Sequence, residues 1–208
     1  MNNKYKIVVL AITALVAIVT YINPVFPREQ FLQQAGTVLL VALLLCDLRK
    51  RWFSNLAFLG VALFLILHLV GARYIYSYVP YQEWLQCLGD WDWLHTSRNH
   101  YDRLVHLLFG VFLFPALVEF SRRRVTSRPV MAVLVAWLLV QAGSLIYELF
   151  EWGLTLVLSP EDAEGYNGQQ GDLWDAHKDM ALAMLGSTVA AGYYIVRSSL
   201  KRGKLFAE

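Results

Sequence analysis

Three short blocks of this chain carry the residues that can do chemistry. Tyr101 to His106 reads Y-D-R-L-V-H, Tyr147 to Trp152 reads Y-E-L-F-E-W, and Gly171 to Met180 reads G-D-L-W-D-A-H-K-D-M. Spacings of three and four place Asp102 with His106, Glu148 with Glu151, and Asp172 with Asp175 and Asp179 on one face of their respective helices. Carboxylates and imidazoles on facing helices hold divalent cations through oxygen and nitrogen, or relay protons. On this pattern the expected catalytic residues are Asp102, His106, Glu148 and Asp175. The expected metal ligands are Glu148, Glu151, Asp172, Asp175, Asp179 and His68, and the expected substrate-binding residues are Arg103, Lys178 and Trp174.

The segments that must position these groups are membrane-like. Hydrophobic residues make up 57% of the 208 and charged residues only 16%, with a mean hydropathy of +0.44. Apolar stretches at roughly 7–23, 30–48, 53–72, 101–120, 129–157 and 173–197 are each about 17 to 25 residues or longer, enough to cross a bilayer. The expected fold is therefore all-α: one integral-membrane domain, residues 1–208, built as a six-transmembrane-helix bundle.

Basic residues orient it. With the N-terminus inside, Lys4, Lys6, Arg49, Lys50, Arg51, Arg122, Arg123, Arg124, Arg128, Arg197, Lys201, Arg202 and Lys204 all fall on the cytoplasmic side, 13 of the 18 Lys and Arg. Both termini are expected there. Arg28, Arg73, Arg98, Arg103 and Lys178 lie on or near the outer side, the last four among acids, histidines and aromatics where they can be functional. The first span also resembles a secretory signal, but no A-x-A triplet follows it, so a retained anchor is expected. Cys46 and Cys87 fall on opposite sides, which disfavours a disulfide. The Arg122 to Arg124 run reads as a topology anchor rather than a nucleic-acid patch, and no nucleic-acid partner is expected.

Two outer loops stand apart from ordinary connectors. Arg73 to His100 contains Tyr74, Tyr76, Tyr78, Tyr81, Trp84, Trp91 and Trp93, the composition of a segment at headgroup depth, read as an aromatic belt or as a lid over the bundle. Ser159 to Gly171 mixes Glu161, Asp162 and Glu164 with three glycines; it does not have EF-hand spacing and reads as a solvated turn.

In this topology the three blocks and His68 reach a similar depth near the outer face. Six or more carboxylates at one level repel one another unless protons, Arg103, Lys178 or a metal ion compensate them. A divalent metal is thus one expected cofactor, its identity open. The Glu-x-x-His motif of soluble di-iron bundles is absent. Plainer roles stand beside these: His68 as a hydrogen-bonded core histidine, Asp102 as a helix-start acid, His177 and Lys178 as headgroup-facing, and Glu119 as a partner of the inner arginines.

Taken together, Tyr101 to Gly110, Tyr147 to Trp152 and Gly168 to Met180 resemble the YjdF family of uncharacterised bacterial inner-membrane proteins, over nearly the whole chain. A looser similarity is to the VanZ-like group. The resemblance implies a multi-pass protein of the bacterial inner membrane, with Asp102, His106, Glu148, Glu151, Asp172, Asp175 and Asp179 inside its motifs.

Three functional classes follow, in order of preference. The first is a membrane-embedded hydrolase or transferase acting on a lipid or lipid-linked substrate, with a metal activating water. The second is a proton- or cation-coupled transporter or flippase, against which stands the lack of a polar stripe in the inner half. The third is a structural or interaction subunit. No Walker loop, dinucleotide fingerprint, Gly-x-Ser-x-Gly or His-Glu-x-x-His occurs, so no nucleotide cofactor is expected.

Overall fold

In the computed structural model the described residues are 3–87, 89 and 98–205, with side chains described for all of these but Glu161 and residues 198–205. Trp91 and Trp93 of the aromatic loop lie outside them. The described residues form helices and contain no strand: α1 (Asn3–Tyr21), α2 (Pro27–Leu32), α3 (Gln34–Lys50), α4 (Asn55–Arg73), α5 (Tyr81–Gln86), α6 (Tyr101–Phe112), α7 (Phe114–Arg124), α8 (Pro129–Thr155), α9 (Pro160–Asn167) and α10 (Asp175–Leu205).

Five stretches are long and apolar enough to cross a membrane: Asn3–Tyr21, Asn55–Arg73, Tyr101–Arg124, Pro129–Thr155 and Asp175–Arg197. The expected span at 30–48 instead divides at Gln33 into α2 and α3, and α3 has 17 residues. At 1.5 Å per residue it is about 25 Å long, at the short limit of what crosses a bilayer. The fourth expected span is also interrupted. Pro115 has no N–H to give and its ring crowds the carbonyl four residues back, so the 101–124 stretch breaks at Leu113 into α6 and α7.

The Ser159 to Gly171 segment is more ordered than a solvated turn. Ser159 accepts a hydrogen bond from the Asp162 N–H, Pro160 occupies the first turn, and Gly168 closes α9 with φ of +64°. The sequence cue was present as a cap, a proline and a glycine at the right intervals.

Small residues set the helix spacing. A Cβ on Gly60 would lie closer than 3.0 Å to the Phe112 carbonyl, which seats α4 on the break between α6 and α7. Cβ atoms on Gly110 and Gly186 would come equally close to the backbones of α10 and α6. Lipid offers no hydrophobic drive between helices, so such close backbone approach is the main source of packing energy. Apolar cores fill between these crossings: Phe58, Leu65 and Leu44 where α4 meets α1 and α3, and Phe114, Val140 and Ala183 where α7, α8 and α10 meet. Leu15, Ile18, Leu39, Ile146 and Val189 remain exposed on the outside of the bundle, as surfaces bathed in lipid should be.

Polar side chains tie the helix ends. Lys6 is fully buried rather than placed at a membrane surface; its Nζ donates to Asp47 Oδ2 at 2.5 Å and to the Phe53 carbonyl at 2.6 Å. Arg73, expected among the functional outer cations, instead donates to the carbonyls of Thr20 and Ile22 at 2.8 and 2.9 Å. It thereby satisfies the unpaired C-terminal end of α1. Glu119 accepts the Ser54 N–H at 2.8 Å at the start of α4, in place of the expected pairing with arginines. Cys46 and Cys87 are free thiols, in line with the expectation of no disulfide.

Candidate functional site: a carboxylate and histidine cluster at one end of the bundle

The site begins with two facing stripes. On α6, Asp102, His106 and Gly110 recur every four residues; on α10, Asp175, Asp179, Ala183 and Ser187 do the same. Gly110 meets Ala183 and Ser187, and Gly186 meets Leu107, so the two helices run in contact and their polar ends are brought together. Helix α8 arrives from the opposite direction and presents Ser144, Glu148 and Glu151 on successive turns.

The acids, expected as one group, separate into two layers. In the outer layer each carboxylate has a cation. Asp175 is paired with Arg98 and lies 3.5 Å from Arg103, while Asp172 is paired with Arg103 and, at 2.6 Å, with Lys178. Arg98 also donates to the Gln169 carbonyl. Next to it, Asn99 and Gln170 exchange hydrogen bonds at 2.9 and 3.1 Å, joining the approach to α6 with the turn before α10. Asp172 also accepts the Trp174 N–H at 3.1 Å. The Lys178 ammonium first, then that N–H and the Arg103 guanidinium, hold the Asp172 carboxyl down to about 2.

Among the described residues the acids of the inner layer form no ion pair with Lys or Arg. Asp102, His106 and Asp179 each offer one ligand atom, and these atoms all lie within 4.8 Å of one another. His106 Nε2 is 3.6 Å from Asp102 Oδ1 and 3.7 Å from Glu148 Oε1, too long for good hydrogen bonds. Among the described residues, Glu148 Oε1 and Asp179 Oδ1 are buried with no hydrogen-bond partner. Glu148 is 6% and Asp179 2% exposed. Three oxygen donors around one imidazole suit a hard or borderline divalent cation. The donor set therefore fits such an ion, and Asp102, His106 and Asp179, with Glu148 beside them, would hold it.

Other expected members fall elsewhere. Both ring nitrogens of His68 are engaged: Nε2 faces the Gln33 carbonyl at 3.1 Å and Nδ1 the Tyr76 hydroxyl at 2.6 Å. A carbonyl only accepts, so Nε2 carries the proton and Tyr76 donates to Nδ1. His68 is thus a packing histidine beside the cluster, not a member of it. Glu151 is within hydrogen-bonding reach of the Tyr147 hydroxyl, one turn beyond Glu148. Trp174 is exposed and set edge-on to His177, turned away from the cluster. Asp172 and Asp175 belong to the ion-paired layer.

A cavity of about 270 Å³ opens from the inner layer. Asp102, His106 and Tyr147 lie at its polar end, and Leu40, Phe64, Phe109, Leu113 and Ser144 continue it into the bundle. Sequence reasoning did not find Ser144, Tyr147 or the two glycines of the α6–α10 crossing. Ser144 sits four residues before Glu148, and Gly110 four after His106, which was the available signal.

An all-helical, multi-pass membrane protein with a carboxylate and histidine cluster at one end of the bundle is the class these features define. The chain belongs to the predicted membrane protein family DUF2238, whose model matches residues 5–199. It is similar to the inner membrane protein YjdF of Escherichia coli (strain K12), with 37% identity over 154 residues, 72% of this chain and 69% of that protein. No solved structure matches it. The family expected from the three motif blocks is thus the family found.

Proposed function

We propose that this protein is a membrane-embedded hydrolase or transferase that uses a divalent cation to act on the polar end of a lipid or lipid-linked substrate. The observation that carries the reading is the inner layer: Asp102, His106 and Asp179 converge within 4.8 Å, yet Glu148 and Asp179 keep buried oxygens with no partner. Uncompensated buried carboxylates are costly, and a cation at their centre removes that cost. A bound cation would polarise the bond to be broken at the polar end of the substrate and lower the pKa of a coordinated water. Glu148, adjacent to the three ligands, is placed to take the proton from that water. Arg98 and Arg103 steady the layer above.

The course of the chain supports a topology in which α3 is the sixth crossing. Lys6, Asp47, Phe53 and Glu119 meet at one end of the bundle, and Thr20, Gln33, His68, Asp102 and Asp175 lie at the other, so successive long helices alternate in direction. The basic residues of the first end support a reading with both termini in the cytoplasm and the cluster near the outer face.

Metal content is the decisive measurement. Detergent-purified protein, stripped with chelator and reloaded separately with Mn²⁺, Zn²⁺ and Mg²⁺, should retain one of them at about one ion per chain, and Asp179→Asn should not. A wild-type protein that retains none of the three would sink the reading.

A further inference from the structure

The cavity has a second property, its route of access. Its walls come from α3 through Gly36, Leu39 and Leu40, from α4 through Phe64, from α6 and from α8. Among the described residues α3 packs chiefly on α1, α2 and α4, whereas α8 packs chiefly on α6, α7, α9 and α10, and the cavity is the gap between α3 and α8. Leu39, on the wall of that gap, is 70% exposed. The ion-paired layer of Arg98, Arg103, Asp172 and Asp175 lies at the same end of the bundle as Asp102 and His106 and does not line the cavity.

The lining says what fits. From His106 to Leu113 the slot follows two turns of helix, roughly 10 Å at 1.5 Å per residue. Over that length the walls are mostly Leu, Phe and Gly, and Asp102, His106 and Tyr147 stand with His68 and Tyr76 towards one end, while Ser144 sits deeper, beside the Gly143 that packs on Phe109. An occupant with one apolar chain and one polar head satisfies both ends, and a volume of about 270 Å³ is below what two chains with a headgroup require.

We propose that the cavity seats a single-tailed amphiphile with an anionic head, which enters sideways from the bilayer between α3 and α8. Its chain lies along Phe64, Phe109 and Leu113, and its head meets Asp102 and His106. The placing of an anionic head against these acids rests on the cation proposed above; the seating of the chain does not.

Photolabelling distinguishes the two parts. Purified protein in phosphatidylcholine vesicles is exposed to a single-chain alkyl phosphate bearing a diazirine near the chain end, or to the matching alkyl alcohol, and labelled peptides are mapped. Labelling by both probes is expected on α4 near Phe64 and on α6 near Phe109. Gly36→Leu fills the slot without touching backbone, since a Cβ there meets only the His68 ring at 3.7 Å. It should lower cavity labelling about tenfold, the loss expected when about two methylenes are left unburied. Leu40→Trp is the second variant, and thermal unfolding checks that both are folded. Labelling spread over the outer helix faces and unmoved by either variant overturns the proposal. Phosphate labelling that also falls with EDTA or Asp179→Asn, while alcohol labelling persists, supports both parts. Slot labelling by both probes that ignores EDTA supports the seating of the chain and counts against the cation.

Discussion

Gly110 on α6 and Gly186 on α10 lie at one crossing, where neither position has room for a side chain. A Cβ on Gly110 would fall closer than 3.0 Å to the Ala183 carbonyl and the Ser187 N–H, and one on Gly186 closer than 3.0 Å to the Leu107 carbonyl. The neighbours are backbone atoms, which cannot swing aside. This crossing fixes the distance between the Asp102–His106 stripe and the Asp175–Asp179 stripe one to two turns away. Gly186→Val should therefore destabilise the protein by more than the roughly 1–3 kcal/mol of ordinary overpacking, and it should abolish metal retention even where the protein stays folded. Thermal unfolding in detergent and metal analysis of the same sample check both. An unchanged melting temperature would show that the helices do not meet here.

The two layers differ in what their acids already hold. Asp172 is committed to Arg103 and Lys178, whereas Asp179 has a buried oxygen with no partner. Asp179→Asn should weaken cation affinity by about 100-fold or more, at or beyond the upper range for loss of a supporting group. Asp172→Asn should change it by no more than a few-fold. Equilibrium titration with the retained ion measures the contrast, and equal losses in both variants would mean that the layers act as one site.

Acid dependence can be assigned to one member of the outer layer. The folded value of Asp172, about 2, lies below its ordinary 3.8. Stabilisation from its ties is therefore fully present above about pH 4 and is lost as the pH falls through about 2. Lys178→Met removes the largest cause of the shift and should return the Asp172 carboxyl towards its ordinary range, with Arg103 and the Trp174 N–H keeping it somewhat low. A ¹³C titration of the carboxyl in detergent reads this directly. Because Lys178 is half exposed, the melting temperature at neutral pH should scarcely move.

The buried pair at the other end offers a control that leaves the cluster untouched. Lys6 and Asp47 are both inaccessible, and Asp47 Oδ1 also accepts the Phe53 N–H at 2.7 Å. Lys6→Met strands a buried carboxylate and should cost about 3–5 kcal/mol. Adding Asp47→Leu removes the stranded charge and should recover part of that loss, leaving about 1–3 kcal/mol for the orphaned Phe53 N–H. Metal retention should be the same in both folded variants and in wild type. A deficit in metal would tie the two ends of the bundle together, contrary to this account.

How far the sequence could be read is clearest at individual residues. The helical spacing of Asp102 and His106, and of Asp175 and Asp179, specified which groups share a face, because a 3.6-residue repeat is local geometry. Hydropathy located five long apolar helices for the same reason. It overran at Gln33, where a short break divides α2 from α3, and at Pro115, where the missing N–H ends one helix and starts another. Charge alone assigns Lys6 to the cytoplasmic side and Arg73 to the outer cations that can be functional; their partners, Asp47 and the α1 carbonyls, are distant in the chain.

The residue types and spacings of this chain by themselves determined that it is an apolar, all-helical protein with seven acids and histidines set in stripes at one end. Tertiary structure alone decided how those stripes divide. Arg98 and Arg103 reach Asp175 and Asp172 across 77 and 69 residues and neutralise them, while among the described residues Asp102, His106, Glu148 and Asp179 face one another without a Lys or Arg ion pair. Like-charged side chains at equal spacing are equivalent along a helix. What separates them is which neighbour the packing of Gly110 against α10 brings within reach, and that is a property of the folded bundle.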